Sequence, residues 1–161
     1  MIALLFLPML FANVARPQVG EDSPSFRART LAGTEVSQDA LRGQVTVVDF
    51  FASWCQPCRE GLAELIAVRQ KLGPRFALMI VAVEGDAPAL KAYLSEHPLP
   101  EGTVVALDND GLLARAFGED RLPTTFFLDD KATIRHINRG HGSGFRARAM
   151  RWLSVLAVHR Q

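Results

Sequence analysis

The chain alternates between short apolar runs and longer stretches in which apolar residues recur at helical spacing. The short runs are rich in β-branched and aromatic residues and are bounded by turn residues, a pattern typical of buried strands. They predict strands over residues 45–51, 76–83, 103–107, 124–128 and 134–138. The last two strands are joined by the turn Asp129-Asp130-Lys131, which predicts an antiparallel hairpin.

Helical spacing occurs between these strands. A helix is predicted over residues 56–72, and Gly73-Pro74 ends it. Its apolar residues recur at helical spacing, namely Leu62, Leu65, Ile66 and Leu72. Further helices are predicted from an Asp86 cap to about Glu96, from the turn 108–111 to Phe117-Gly118, and from Phe145 to about Val158. Strands that alternate with helices imply parallel strand pairing, with the helices on the faces of the sheet.

The region before the first long strand carries weaker patterns. Residues 16–25 contain proline and glycine and predict an extended lead-in. Residues 26–36 predict a short hairpin, and Ser37 is expected to cap a helical turn that ends at Leu41. The predicted fold class is therefore α/β, with a central mixed sheet flanked by helices and an added N-terminal hairpin.

The first residues form a separate apolar segment. Residues 2–12 are an unbroken apolar run that is too short to span a bilayer but fits the core of a signal peptide. We predict a signal peptide over residues 1–15, cleaved after Ala12 or Ala15, although no basic residue precedes the run. The alternative is a short N-terminal hydrophobic segment buried in the fold. A signal peptide implies export, in bacteria to the periplasm.

Size and charge limit the function classes. The chain has 161 residues, 48% of them hydrophobic, which suits one domain with a proper core, predicted over residues 26–161. The formal net charge is +1, so no overall field attracts nucleic acid. We expect a monomer that binds no nucleic acid.

The two cysteines carry the strongest chemical signal. Cys55 and Cys58 are the only cysteines and lie between a predicted strand and a predicted helix. The thiolate is the reactive form of cysteine, and a helix N-terminus lowers the pKa of a thiol. Pro57 fits the first turn of such a helix. The position predicts that Cys55 is the exposed attacking thiol and that Cys58, one turn inward, resolves the mixed disulfide.

Two other uses of a cysteine pair have less support. A purely structural disulfide would close a very short loop and remove little entropy from the unfolded chain. A structural zinc site normally needs four ligands. There is no second cysteine pair, and His97, His136, His141 and His159 show no paired spacing. We therefore predict a redox-active pair, with no metal and no cofactor other than the Cys55–Cys58 disulfide itself.

Three separated features together resemble the thioredoxin superfamily, in particular its exported TlpA/ResA-like thiol–disulfide oxidoreductases. They are the segment from Val48 through Trp54-Cys55-Gln56-Pro57-Cys58 to Arg59, then Leu122-Pro123-Thr124-Thr125-Phe126, and Gly140 after the last hairpin. The resemblance covers about residues 23–158. It implies a thioredoxin fold in which residues 86–107 form an added helix–strand unit.

The resemblance also implies a substrate-binding surface. Pro123 matches a proline that is cis in this family and lies against the cysteines. A cis bond there leaves the backbone of Leu122 free to pair with a substrate strand. Thr124 follows in the same loop and is expected to contact the substrate as well. On the other side of the cysteines, the resemblance assigns substrate contact to three residues, namely Trp54, Gln56 and Pro57.

Asp49 matches the buried acid of thioredoxins. Burial within an apolar strand should raise the pKa of its carboxyl group and suit it to proton transfer with Cys58. The alternative is a hydrogen-bonded polar residue without a catalytic role.

The chain departs from the exported proteins that it resembles at Gly61, where they often have glutamate, and at Ala63, where they tend to have proline. The missing glutamate weakens a role in cytochrome c biogenesis.

The expected function is the reduction of disulfides in exported proteins, with a membrane electron donor that reduces the enzyme again. A cytoplasmic thioredoxin-like reductase is the alternative if the leader is retained. A peroxidase is disfavoured because Ala52 stands where a peroxidase of the peroxiredoxin type needs threonine near its cysteine. A redox-inactive binding module, or a copper-delivery protein, is a further alternative that lacks the expected spacing and histidine.

Overall fold

The computed structural model describes residues 16–84 and 87–158. The predicted signal peptide and the predicted Asp86 cap lie outside the described residues. The described strands are β1 (Arg27–Thr30), β2 (Glu35–Ser37), β3 (Thr46–Phe51), β4 (Ala77–Ala82), β5 (Val104–Leu107), β6 (Thr124–Leu128) and β7 (Ile134–Arg139). The helices are α1 (Gln56–Leu72), α2 (Ala87–Glu96), α3 (Leu112–Ala116) and α4 (Phe145–Val158).

The strands form one mixed sheet in the order β2-β1-β5-β4-β3-β6-β7. β3, β4 and β5 are parallel neighbours, whereas β6 and β7 form the antiparallel hairpin that the sequence predicted. The N-terminal hairpin of β1 and β2 joins the sheet through β5. β5, the strand of the added helix–strand unit, thus lies between the N-terminal hairpin and the rest of the sheet. This arrangement confirms the predicted fold class.

The core has two layers, one on each face of the sheet. Val47 and Phe51 of β3 pack with Leu62 and Leu65 of α1 and with Leu153 of α4. The alternate residues of β3 face the other layer, where the rings of three phenylalanines meet edge to face, namely Phe50, Phe117 and Phe126. All six residues of β3 are buried because the strand is central and covered on both sides.

One local prediction was wrong in part. The helical turn predicted to end at Leu41 is confirmed as a 3₁₀ helix over Gln38–Leu41, but the side chain of Ser37 makes no capping hydrogen bond. Four residues are too few to develop the repeating hydrogen bonds of an α-helix, so the tighter turn forms. Among residues 16–84 and 87–158, no helix has both the length and the apolar character needed to cross a membrane.

Candidate active site

The two cysteines lie at the junction of β3 and α1. β3 ends at Phe51, and Cys55 occupies the N-cap position of α1, with Pro57 in the first turn as predicted. The two sulfur atoms are bonded at 2.05 Å, and their Cα atoms are 5.2 Å apart. The chain is thus described in its oxidised form. The backbone N–H of Cys58 points at Sγ of Cys55, with 3.3 Å between nitrogen and sulfur.

The two cysteines of the disulfide differ in their exposure to solvent. Cys58 is fully buried, whereas Cys55 is 7% exposed, so Cys55 is the outer of the two, as predicted. The expectation of an openly exposed Cys55 was wrong for the oxidised form, because the protein covers most of this side chain. The neighbouring Trp54 is 71% exposed, so it offers an open apolar surface beside the disulfide.

A groove runs along this surface. Its lining includes Trp54, Cys55, Gln56, Pro57 and Leu122, which the sequence had assigned to the site. The Leu122–Pro123 peptide bond is cis, as the resemblance implied. The structure thereby brings the segment of Trp54 to Pro57 together with Leu122, which lies far away in the sequence.

Thr124 differs from its predicted place. Its side chain is fully buried, and its hydroxyl donates to the carbonyl of Arg121 at 3.1 Å. A buried threonine cannot touch a docked polypeptide from this position. Its side chain instead stabilises the loop that carries Leu122 and Pro123.

Asp49 of β3 is buried. Because side chains alternate along a strand, it faces the same layer as Val47 and Phe51, which also contains Cys58. Burial raises the pKa of Asp49 to about 7, against the opposing effect of a hydrogen bond from the Thr125 hydroxyl to Oδ1 at 2.7 Å. A carboxyl group that titrates near neutral pH can both accept and donate a proton.

Two further buried carboxyl groups surround the site, and no sequence signal pointed to either. Glu84, just after β4, accepts hydrogen bonds from the backbone N–H of Ser53 at 3.1 Å and from the Ser53 hydroxyl. It therefore fixes the turn that precedes Trp54. Glu119 lines the groove and has a side chain only 2% exposed, and burial raises its pKa. The Thr124 hydroxyl and the guanidinium of Arg139, 3.9 Å away, both oppose that rise.

Gly61, where the sequence departs from the exported proteins that it resembles, lies close to His141. Gly61 is buried in α1, and a Cβ added there would lie 3.5 Å from Cδ2 of His141. His141 places Nδ1 3.5 Å from a carboxylate oxygen of Glu60 and Nε2 3.7 Å from one of Glu64. An added Cβ would therefore make an ordinary van der Waals contact with the imidazole.

The described residues contain the fold and the paired cysteines of a thiol–disulfide oxidoreductase with a thioredoxin fold. Sequence comparison assigns the family: residues 19–137 match the AhpC/TSA family, and the chain belongs to it. The chain is 26% identical over 126 residues to the thioredoxin-like protein YneN of Bacillus subtilis, covering 76% of this chain and 72% of that one.

Two other proteins are similar. The thiol:disulfide interchange protein DsbE homologue of Paracoccus denitrificans is 33% identical over 124 residues, which cover 76% of this chain and 66% of the relative. A crystal structure of a putative DsbE from Chlorobium tepidum superposes with a TM-score of 0.79 at 23% identity. The superposition covers 88% of this chain and 99% of that one, and it confirms the thioredoxin fold. The predicted class, a thiol–disulfide oxidoreductase, is confirmed by the relatives together with the paired cysteines.

The pKa of Asp49 generates a prediction about stability. An aspartate with an ordinary pKa of 3.8 when unfolded and about 7 when folded holds its proton more tightly in the folded state. Its contribution to stability is therefore present below about pH 4 and is lost as the pH rises through 7. Replacing Asp49 by Asn removes this titration. The free energy of unfolding of the wild type, relative to Asp49→Asn, should fall by on the order of 4 kcal/mol between pH 4 and pH 8.

Urea unfolding of both oxidised proteins at a series of pH values measures this difference. Using the oxidised form prevents the cysteines from titrating, and Glu119 and the other carboxyl groups cancel because both proteins contain them. Parallel stability curves for the two proteins would show that Asp49 has an ordinary pKa.

Proposed function

We propose that this protein is an exported thiol–disulfide oxidoreductase that reduces disulfides in other exported proteins. The observation that supports it most directly is the disulfide at the N-terminus of α1, whose outer sulfur borders a groove. A structural disulfide would not need a groove or an exposed tryptophan beside it. The relatives named thiol-disulfide oxidoreductase ResA and thiol:disulfide interchange protein DsbE homologue support the same chemistry.

The reaction begins from the reduced enzyme. The Cys55 thiolate attacks a disulfide of the substrate, a mixed disulfide forms, and one substrate sulfur leaves as a thiolate. The N–H of Cys58 and the N-terminal end of α1 favour the negative charge on Cys55. The Cys58 thiolate then attacks Sγ of Cys55, and the second substrate sulfur leaves. Two electrons have passed to the substrate, and the enzyme carries the Cys55–Cys58 disulfide.

Asp49 handles the proton of the second step. Cys58 is fully buried, so bulk water does not take its proton directly. Asp49 faces the layer that contains Cys58, and its pKa of about 7 lets it accept that proton at neutral pH. When a donor reduces the disulfide again, Cys58 recovers the proton from Asp49.

A substrate segment docks against the loop of Leu122 and Pro123. Within the described residues, Leu122 forms no backbone hydrogen bond, whereas the carbonyl of Pro123 accepts one from Gly140 at 2.7 Å. Leu122 can therefore pair its backbone with an extended substrate segment. Trp54 and Pro57 contact the same segment from the other side of the groove. The partners are protein disulfides and a membrane electron donor, and the chain acts as a monomer with no other cofactor.

Two further parts of this proposal, the export of the protein and the transfer of electrons from enzyme to substrate, are supported by the sequence. The apolar run 2–12 supports a leader. Gln56 and Pro57 bring no positive charge between the cysteines to stabilise a thiolate, which favours a reductant over a strong oxidant. A reductant in an oxidising compartment must receive its electrons from the membrane side.

Removing the resolving thiol should trap the substrate. Cys58→Ser retains the attacking thiol but cannot release the product, so a mixed disulfide with a substrate such as insulin should accumulate. Nonreducing electrophoresis and mass spectrometry detect this adduct at Cys55. Cys55→Ser is the matched control and should give neither adduct nor turnover above background. Continued turnover by Cys55→Ser would exclude the mechanism.

The reduction potential tests the direction of the reaction. We expect a value nearer to about −270 mV, typical of a reducing thioredoxin, than to about −120 mV, typical of a strong oxidase. Equilibration of the wild type with dithiothreitol redox buffers, followed by thiol alkylation and mass measurement, gives this value. A potential close to that of an oxidase would reverse the proposed direction and leave the exchange chemistry intact.

Export predicts a shortened chain. Protein isolated from its native host should begin just after Ala12 or Ala15, and it should be recovered from the exported fraction. Amino-terminal sequencing and cell fractionation measure both. A chain that retains Met1 in the cytoplasm would instead support the cytoplasmic reductase.

A further inference from the structure

Thr125 forms a buried pair with Asp49. The two residues lie directly opposite each other on the antiparallel strands β6 and β3, where facing side chains come into contact. Both are 2% exposed, and the Thr125 hydroxyl donates to Oδ1 of Asp49 at 2.7 Å. The second carboxylate oxygen, Oδ2, is buried and accepts no hydrogen bond from the described residues. One oxygen of Asp49 is therefore held and the other is unpartnered.

Among residues 16–84 and 87–158, no charged group is among the causes that shift the pKa of Asp49. On β4 the residue opposite Asp49 is Ile80. The buried residues of α1 and α4 that cover this face cannot titrate, apart from the cysteine Cys58; they are Gly61, Leu62, Leu65, Val68, Phe145, Ala149 and Leu153. Within the described residues, the Thr125 hydroxyl is thus the one polar group that contacts the carboxylate.

We propose that Thr125 is a positioning residue for proton transfer at Cys58, because its hydroxyl holds Oδ1 of Asp49 and leaves Oδ2 to take the proton. This inference rests on the proposed function, and in particular on Asp49 as the base in the second step. The Cys58 proton moves to Oδ2, and the electron pair left on sulfur forms the bond to Cys55. The bond between Cys55 and the substrate sulfur breaks, and that sulfur leaves as a thiolate.

The hydroxyl also affects the charge of Asp49. A hydrogen bond donated to a carboxylate favours its ionised form, which is the form that accepts the proton. Thr125→Val preserves the shape of the side chain and removes the donor. The pKa of Asp49 should then rise further above its ordinary value, and less of the base is ionised at neutral pH. Thr125→Ser keeps a hydroxyl and should preserve the wild-type behaviour.

A small aromatic disulfide separates the two chemical steps. The reduced protein reacts with 5,5′-dithiobis(2-nitrobenzoate) and releases one coloured thiolate when Cys55 attacks and a second when Cys58 closes the disulfide. Stopped-flow absorbance gives both rates as a function of pH. The first phase reports the attack on which the proposed function rests, and the second reports the step assigned to Asp49 and Thr125.

For Thr125→Val, we expect the second phase to shift by about one pH unit toward alkaline pH. Its rate near pH 7 should fall roughly five- to tenfold and should approach the wild-type rate at high pH. The first phase should keep its pH profile. Thr125→Ser should restore the second phase. Thr46→Val is a matched control, because Thr46 is a buried threonine of β3 whose hydroxyl donates to a backbone carbonyl, that of Gln44.

A double mutant separates this role from packing. In an Asp49→Asn background, Thr125→Val should have no further effect on the pH profile of the second phase. An unshifted second phase in Thr125→Val, or an equal shift in the Asn background, would overturn the role of Thr125. A slow first phase in the wild type would instead count against the proposed function. If Thr125→Val does not fold, Thr125→Ala provides the same comparison with Thr125→Ser.

Discussion

The junction between β3 and α1 is the constraint on which the site depends. β3 is buried on both faces, so the position and direction of its last residue are fixed by the core. The short turn after it places Cys55 at the N-cap of α1, where its sulfur receives the N–H of Cys58. The helix packs against β3 and α4 through Leu62 and Leu65, which holds Cys58 over the same layer. The position of the sulfur thus derives from ordinary core packing.

Three buried carboxyl groups surround this junction, and each lacks the solvation that normally stabilises a negative charge. Glu84 receives hydrogen bonds from Ser53 and fixes the turn, while Glu119 lies near Arg139 beside the groove. Asp49 has a hydrogen bond from Thr125 to one oxygen alone. The contacts that replace this lost solvation differ among the three groups. Glu84 accepts two hydrogen bonds and has a structural role, whereas the single hydrogen bond to Asp49 leaves its pKa near neutral pH. Incomplete compensation at Asp49 gives its carboxyl group a property that the proposed proton exchange with Cys58 requires, a pKa near neutral pH.

The sequence predicted most of the fold because its pattern is local. Strand runs such as 45–51 and the helical spacing after Cys58 carry their own period, and the observed elements differ from them by a residue or two. The cysteine pair, its helix and the cis proline were also accessible from sequence motifs. Thr124 was misplaced, since a motif indicates a loop but not which of its side chains face inward. The cap at Ser37 was predicted wrongly because residue type alone does not show whether a side chain will form the capping hydrogen bond.

By itself, then, the sequence determined the order of the elements, the mixed sheet and the thiol pair at a strand–helix junction. The tertiary structure decided which polar groups meet. Asp49 and Thr125 are 76 residues apart, and Ser53 and Glu84 are 31 apart, so neither contact leaves a local pattern. The proximity of the His141 imidazole to Gly61 likewise leaves no local pattern in the sequence. These contacts follow from strand register and helix packing, which bring together side chains that no spacing rule connects.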